Sequence, residues 1–272
     1  FPGMKMNSAF PCTHTLLALC ALLLAACNTT APATPPALTP VAAPVLLPPA
    51  KIALALGGGA ARGFAHVGVI KALEAQGIKP DIIVGTSAGS VVGALYAAGY
   101  NGFDMQKLSM QMDEGQVSDW SMPNRGVIKG EALQDFINSA VRQRPLEKLN
   151  KLFAVVATDL HSGEMIVFRT GNTGMAVRAS SSVPGVFQPV AINGHDYVDG
   201  GLVAPVPVRV ARSLGADFVI AVDISDRPQY GKTESSLDIL MQTFTIMGQT
   251  INRSELPGAD IVIRPVTLGI NS

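Results

Sequence analysis

The sequence predicts an α/β domain with a mostly parallel central sheet and helices on both faces. Three observations predict it. From Lys51 onward, short apolar runs alternate with segments of helical period. The first run leads straight into a glycine-rich loop, Gly57-Gly58-Gly59-Ala60-Ala61-Arg62-Gly63. The second leads into Gly85-Thr86-Ser87-Ala88-Gly89, where a strand turns sharply into a helix.

The elements follow in chain order. Ile52–Leu56 is apolar throughout and reads as a buried strand, followed by a helix over Phe64–Gln76. Ile82–Gly85 is the next strand, and the small apolar run Ala88–Tyr100 is a buried helix. Helices are expected at Met105–Met112 and Gly130–Arg142. Strands are expected at Leu152–Thr158 and Met165–Arg169. The pattern closes with a helix at Val208–Leu214, a strand at Phe218–Val222, a helix at Leu237–Arg253 and a strand at Ile261–Ile263. The polar stretch Asp113–Lys129 is either a mobile loop beside the site or an ordinary connector. About 220 residues suffice for one substantial core, and no internal repeat is visible.

Ser87 is the first residue to explain chemically. Gly85 and Gly89 let the chain turn tightly and keep the space beside the serine clear. Its hydroxyl then stands at a helix N-terminus, where backbone N–H groups and the helix dipole favour developing negative charge. The pentapeptide alone also suits an ordinary turn with a serine near the N-cap. The glycine-rich loop adds weight, because unhindered N–H groups cradle anions. A dinucleotide fingerprint fails, since the sixth position from Gly57 is Arg62. A P-loop fails, since Phe64 follows Gly63. The remaining anion is the oxyanion of acyl transfer.

A serine nucleophile needs a base. His14 lies near the N-terminus, and His66 sits inside the first helix, where packing is the simpler reading. His161 and His195 follow Ser87, but a triad through His161 would need an acid such as Asp159, oddly placed two residues before it. Asp199 opens the turn Asp199-Gly200-Gly201 after a short β-like stretch. A Ser87–Asp199 dyad is the simpler account. Burial would raise the basicity of that carboxylate.

These segments together resemble the patatin-like phospholipases. The glycine loop, Gly85-Thr86-Ser87-Ala88-Gly89 and Asp199-Gly200-Gly201 carry the resemblance, with Ala179-Ser180-Ser181-Ser182-Val183-Pro184-Gly185-Val186-Phe187-Gln188-Pro189 as a further signature. The similarity covers Lys51 to about Pro265 and is nearest to bacterial members related to neuropathy target esterase. It implies a three-layer patatin-like fold, hydrolysis of lipid acyl esters, Ser87 as nucleophile and Asp199 as base. It places the oxyanion hole in Gly57, Gly58, Gly59, Arg62 and Gly63. One departure is that Gly-x-Gly-x-x-Gly does not fit from Gly57, as if an extra residue preceded Arg62-Gly63. Acyl transfer to an acceptor other than water, and a catalytically silent scaffold, are the competing functions; retention of both Ser87 and Asp199 argues against the scaffold.

The first 50 residues read as targeting rather than fold. Lys5 precedes an apolar run, Leu16 to Ala26, long enough for a signal-peptide core and too short to span a bilayer. Leu24-Ala25-Ala26-Cys27 resembles the bacterial lipobox, which implies cleavage after residue 26 and lipidation of Cys27. Asn28 after the cysteine suggests the outer membrane, facing the periplasm. Residues 27–50, rich in Pro and Ala, form a tether, and 51–272 the hydrolase domain. The chain begins Phe-Pro-Gly before Met4 and stops soon after its last expected strand, so the domain is expected to lack a final helix.

The composition excludes other chemistry. Charges balance at 20 basic and 20 acidic residues with no basic run, which argues against nucleic acid. Cys12, Cys20 and Cys27 all precede the domain, so no disulfide is expected in it. The histidines show no metal spacing, and no cofactor is expected. The partners expected are a membrane lipid substrate and the membrane holding the acylated Cys27.

Overall fold

Large and small residues alternate along the first strand. A computed structural model, which describes residues 49–111, 128–228 and 234–267, shows why. In β1 (Ile52–Leu56), Leu54 and Leu56 face one core while Ala53 and Ala55 face another. The same split recurs in β2 (Ile82–Thr86), β3 (Leu152–Asp159) and β7 (Phe218–Val222). Successive strand side chains point to opposite faces, so a strand apolar at every position is buried on both sides. Cys27, the N-terminal segments before Pro49 and all but the end of Asp113–Lys129 lie outside the described residues.

The larger core is covered by α1 (Phe64–Ala75), α2 (Ala88–Ala98), α3 (Gly102–Met110), α4 (Glu131–Ala140) and α5 (Thr173–Ser180). The smaller one is covered by α6 (Val208–Ser213) and the segment from Ala204. α7 (Ser236–Glu255) opens on a capping box between Ser235 and Asp238. The result is the expected α/β architecture with helices on both faces of the sheet.

The sheet order is β5-β6-β3-β2-β1-β7-β8, with β4 (Met165–Phe168) also paired to β3. β1, β2, β3, β7 and β8 (Ile261–Ile263) run parallel. β4, β5 (Val190–Ile192) and β6 (His195–Asp199) join through antiparallel pairs. Register fixes one further detail. Val155 and Val156 pair with both β2 and β4, while Ala157 and Thr158 pair with both β4 and β6. β2 and β6 therefore occupy the same edge of β3 in turn and meet end to end. Thr86 is opposite Val156, and Asp199 is opposite the next residue, Ala157.

Candidate active site

That abutment brings Ser87 and Asp199 together. β2 ends at Thr86 and β6 at Asp199, so the residues that leave the two strands emerge at one point on the rim of the sheet. Ser87 caps α2 with φ 51 and ψ −124, a left-handed conformation that costs a non-glycine residue about 1–3 kcal/mol. Close packing maintains it. A Cβ on Gly85 would stand 2.5 Å from Ser90 Cα, and one on Gly89 would stand 2.1 Å from the Leu56 carbonyl. The elbow glycines are thus required by sterics on both sides of the serine.

Asp199 is buried and sits against the elbow. Its Oδ1 accepts the Gly201 N–H at 2.7 Å. Its Oδ2 is buried and accepts no hydrogen bond of ordinary geometry among the described residues. Burial pushes its pKa up to about 6; the nearby Ser87 hydroxyl and the Gly201 N–H favour the charged form and offset part of that rise. The serine hydroxyl therefore lies beside the carboxyl. Gly200 is needed here, because a Cβ would lie 2.2 Å from the Val156 carbonyl.

The glycine loop leaves β1 on the same rim. A Cβ on Gly58 would lie 3.2 Å from Ser87 Cβ, and one on Gly63 would lie 3.0 Å from Ala88 Cβ. The loop thus lies against the elbow, but its N–H groups are not all free. Gly57 N–H donates to Val222 O at 3.0 Å, Gly58 N–H to Pro205 O at 2.9 Å, and Arg62 N–H to Gly59 O at 3.1 Å. Of the set Gly57, Gly58, Gly59, Arg62 and Gly63, three N–H groups are thus committed to carbonyls within the protein. No carbonyl among the described residues receives the N–H of Gly59 or Ala60. The same holds for Ala88 and Gly89, whose N–H groups open α2 and have no partner in its first turn.

The loop also resolves its irregular spacing. Counted from Gly58, the six-residue pattern closes on Gly63 with Ala60 in place of the second glycine. Ala60 has φ 48, the conformation glycine favours there. There is no extra residue.

Two side chains anchor this loop. Arg62 is buried; its Nε donates to Ile224 O at 2.9 Å and its Nη1 to Asp226 Oδ2 at 3.1 Å. His66 is fully buried, and its Nε2 donates to Gly57 O at 2.8 Å. Burial drives the His66 pKa down to about 4, against the smaller opposing effect of its bond to Gly57. The packed role read for His66 is what the structure shows, with an added grip on the loop. The other histidines stand elsewhere. His195 Nδ1 bonds Asp159 Oδ2 at 2.7 Å, and His161 Nε2 lies 3.8 Å from Asp196 Oδ2, both on exposed rings at hairpin ends. Asp159 is held near 2, first by the Ser162 N–H and then by His195 and the His161 N–H. Neither histidine bonds Ser87 or Asp199.

Sequence reasoning missed the roles of Ser180 and Ser182. Ser87 N–H donates to Ser180 Oγ at 2.8 Å, and Asp199 N–H to Ser182 O at 3.0 Å. Both serines belong to the signature segment from Ala179, which was the only available signal. No group of three His, Cys, Asp or Glu side chains suited to a metal occurs among the described residues. No helix among them is long and apolar enough to cross a membrane.

A family model described as patatin-like phospholipase matches residues 54–212, more than half of the chain. An uncharacterized NTE family protein of Mycobacterium tuberculosis is 37% identical over 177 residues, covering 64% of this chain and 49% of that protein. Human patatin-like phospholipase domain-containing protein 6 is 34% identical over 186 residues, covering 65% of this chain and 14% of that protein. The matched region spans about half the length of the mycobacterial relative and less of the human one. Among solved structures, VipD from Legionella pneumophila matches with a TM-score of 0.56 at 15% identity, over 72% of this chain and 53% of that one. At that identity the likeness concerns the fold.

Proposed function

We propose that this chain, which belongs to the patatin-like phospholipase family, hydrolyses acyl esters of lipids by covalent catalysis at Ser87. The observation that carries the reading is the end-to-end meeting of β2 and β6, with the Ser87 hydroxyl beside the buried Asp199 carboxyl. Ser87 Oγ attacks the ester carbonyl carbon while its proton passes to Asp199. The carbonyl oxygen becomes an oxyanion and takes N–H bonds from Gly59, Ala60 and Ala88, three of the uncommitted donors around the elbow. As the tetrahedral intermediate collapses, the C–O bond to the leaving alcohol breaks and Asp199 returns the proton to that alcohol. Water, deprotonated by Asp199, then releases the fatty acid and restores Ser87.

A carboxylate near the ordinary 3.8 is a weak base for a hydroxyl; one raised to about 6 is stronger and still mostly ionised at pH 7. Loss of a single oxyanion donor costs other hydrolases about 3–4 kcal/mol, so the N–H donors carry much of the rate. The test is labelling with a fluorophosphonate probe alongside turnover of phospholipids, lysophospholipids and short esters. Stoichiometric labelling that vanishes in Ser87→Ala, with release of free fatty acid, supports the proposal. Wild-type labelling in Ser87→Ala refutes it, and transfer of the acyl group to glycerol or lysolipid in preference to water makes the protein a transferase instead.

The proposal extends to location. Leu24-Ala25-Ala26-Cys27 after an apolar core supports an envelope lipoprotein anchored by acylated Cys27, with residues 27–50 as its tether. Cys27→Ser then leaves the protein unlipidated and moves it out of the membrane fraction. Continued labelling of that variant by a palmitate analogue contradicts the anchor.

A further inference from the structure

Both members of the dyad hang on one short segment that catalysis itself does not use. Ser180 ends α5, and Ser180-Ser181-Ser182 follows it into the turn. The Ser180 hydroxyl is fully buried and its proton is committed: it accepts the Ser87 N–H at 2.8 Å and donates to Val156 O at 2.5 Å. Val156 is the β3 residue opposite Thr86, so one hydroxyl ties the elbow to the strand that aligns it. Two residues on, Ser182 O accepts the Asp199 N–H at 3.0 Å, and Ser182 Oγ donates to Arg178 O at 2.8 Å. Thr158 Oγ1 completes the frame by donating to Asp199 O at 2.8 Å.

Resting on the function proposed above, we infer that Ser180 is a positioning residue that sets the geometry of Ser87 relative to Asp199. Ser87 occupies a left-handed φ that its own backbone disfavours, and its N–H cannot donate within β2 or α2. The Ser180 hydroxyl receives that N–H and so fixes the peptide between Thr86 and Ser87. The same three-residue segment holds Asp199 through Ser182. Nucleophile and base therefore share one rigid spacer, which holds the Ser87 hydroxyl beside the Asp199 carboxyl. The only proton of the Ser180 hydroxyl is given to Val156 O, so it has none to offer the reacting atoms and its effect on the reaction passes through Ser87.

The experiment compares wild type, Ser87→Ala, Ser180→Ala and Ser180→Cys on a soluble nitrophenyl ester, with fluorophosphonate labelling rates and thermal unfolding. Ser180→Ala is expected to fold, to lose tenfold or more in kcat and in labelling rate, and to keep KM within about twofold. Ser180→Cys, which retains a weak donor and acceptor, is expected to recover part of that loss. The pH at which activity falls is expected to stay where it is in wild type, because Ser180 does not touch the Asp199 carboxylate. Wild-type kcat in Ser180→Ala overturns the inference, as does a loss confined to KM or a shift of the acid limb. An unfolded Ser180→Ala chain also overturns it, by making Ser180 a folding residue. Activity persisting in Ser87→Ala fails the functional reading instead, and so separates the two.

Discussion

Arg62 donates its Nε proton to the carbonyl of Ile224, 162 residues away, at 2.9 Å. That bond, with the one to Asp226, turns the guanidinium toward the segment after β7 and pins the middle of the glycine loop. A guanidinium committed in this way holds the loop rather than gripping a substrate phosphate. Arg62→Ala is therefore expected to lower kcat on a phospholipid and on a neutral nitrophenyl ester by similar factors, tenfold or more. Kinetics on the two substrates decide it. A loss confined to the phospholipid would show that Arg62 reads phosphate.

Asp199 and His66 give the protein an unusual pH balance. Asp199 is raised from 3.8 to about 6 in the fold, so it binds protons more readily folded than unfolded. Its burden on stability is absent below 3.8, grows as pH rises, and is complete above 6, at about 3 kcal/mol. His66 is lowered from 6.5 to about 4, so its burden is absent above 6.5 and complete below 4, at a similar size. Between pH 4 and 6 the two trends oppose each other. Asp199→Asn is expected to be inactive yet more stable than wild type at pH 7.5. That gain is expected to fade on acidification, while the variant alone loses stability steeply from pH 6.5 to 4. Urea unfolding of both chains at several pH values checks it. A variant no more stable than wild type at pH 7.5 would contradict the cost assigned to Asp199.

Ala60 holds the left-handed place in the loop at φ 48 and is exposed. Glycine removes the clash of that conformation but loses more chain entropy on folding. The balance favours Ala60→Gly by about 0.5–1 kcal/mol, a rise of about 2 °C in Tm. Ala60→Val, with a branched Cβ at the same φ, is expected to destabilise. Thermal unfolding of the pair tests the assignment, and the reverse ranking would reject it.

Much of this architecture is legible in the chain because fully buried strands are contiguous apolar runs. β1, β2, β3, β7 and β8 stand where those runs lie. β5 is three residues long, and its pairing with β6 follows from a hairpin at Asn193-Gly194 rather than from apolar content. α5 is hidden for another reason. Thr173, Gly174 and Ser180 are poor helix formers, and the helix exists because Asn172 caps it and Gly174 packs where a Cβ would lie 2.2 Å from Gln134 O. Ser87 and Asp199 are legible as turn residues. Their adjacency is not, because it depends on consecutive partners along β3. The orientation of the loop N–H groups is hidden for the same reason: Val222 and Pro205 claim two of them from more than a hundred residues away.

The dyad proposed above has Asp199, with no histidine, serving Ser87. Its most direct measurement is kcat/KM for Ser87→Ala, Asp199→Asn, His161→Gln and His195→Gln on one ester, with folding of each verified. The dyad predicts losses of about 10⁴-fold or more for the Ser87 and Asp199 variants. It predicts values within a few-fold of wild type for both histidine variants. A histidine variant as inactive as Ser87→Ala, or an Asp199→Asn enzyme retaining a tenth of wild-type activity, would contradict it.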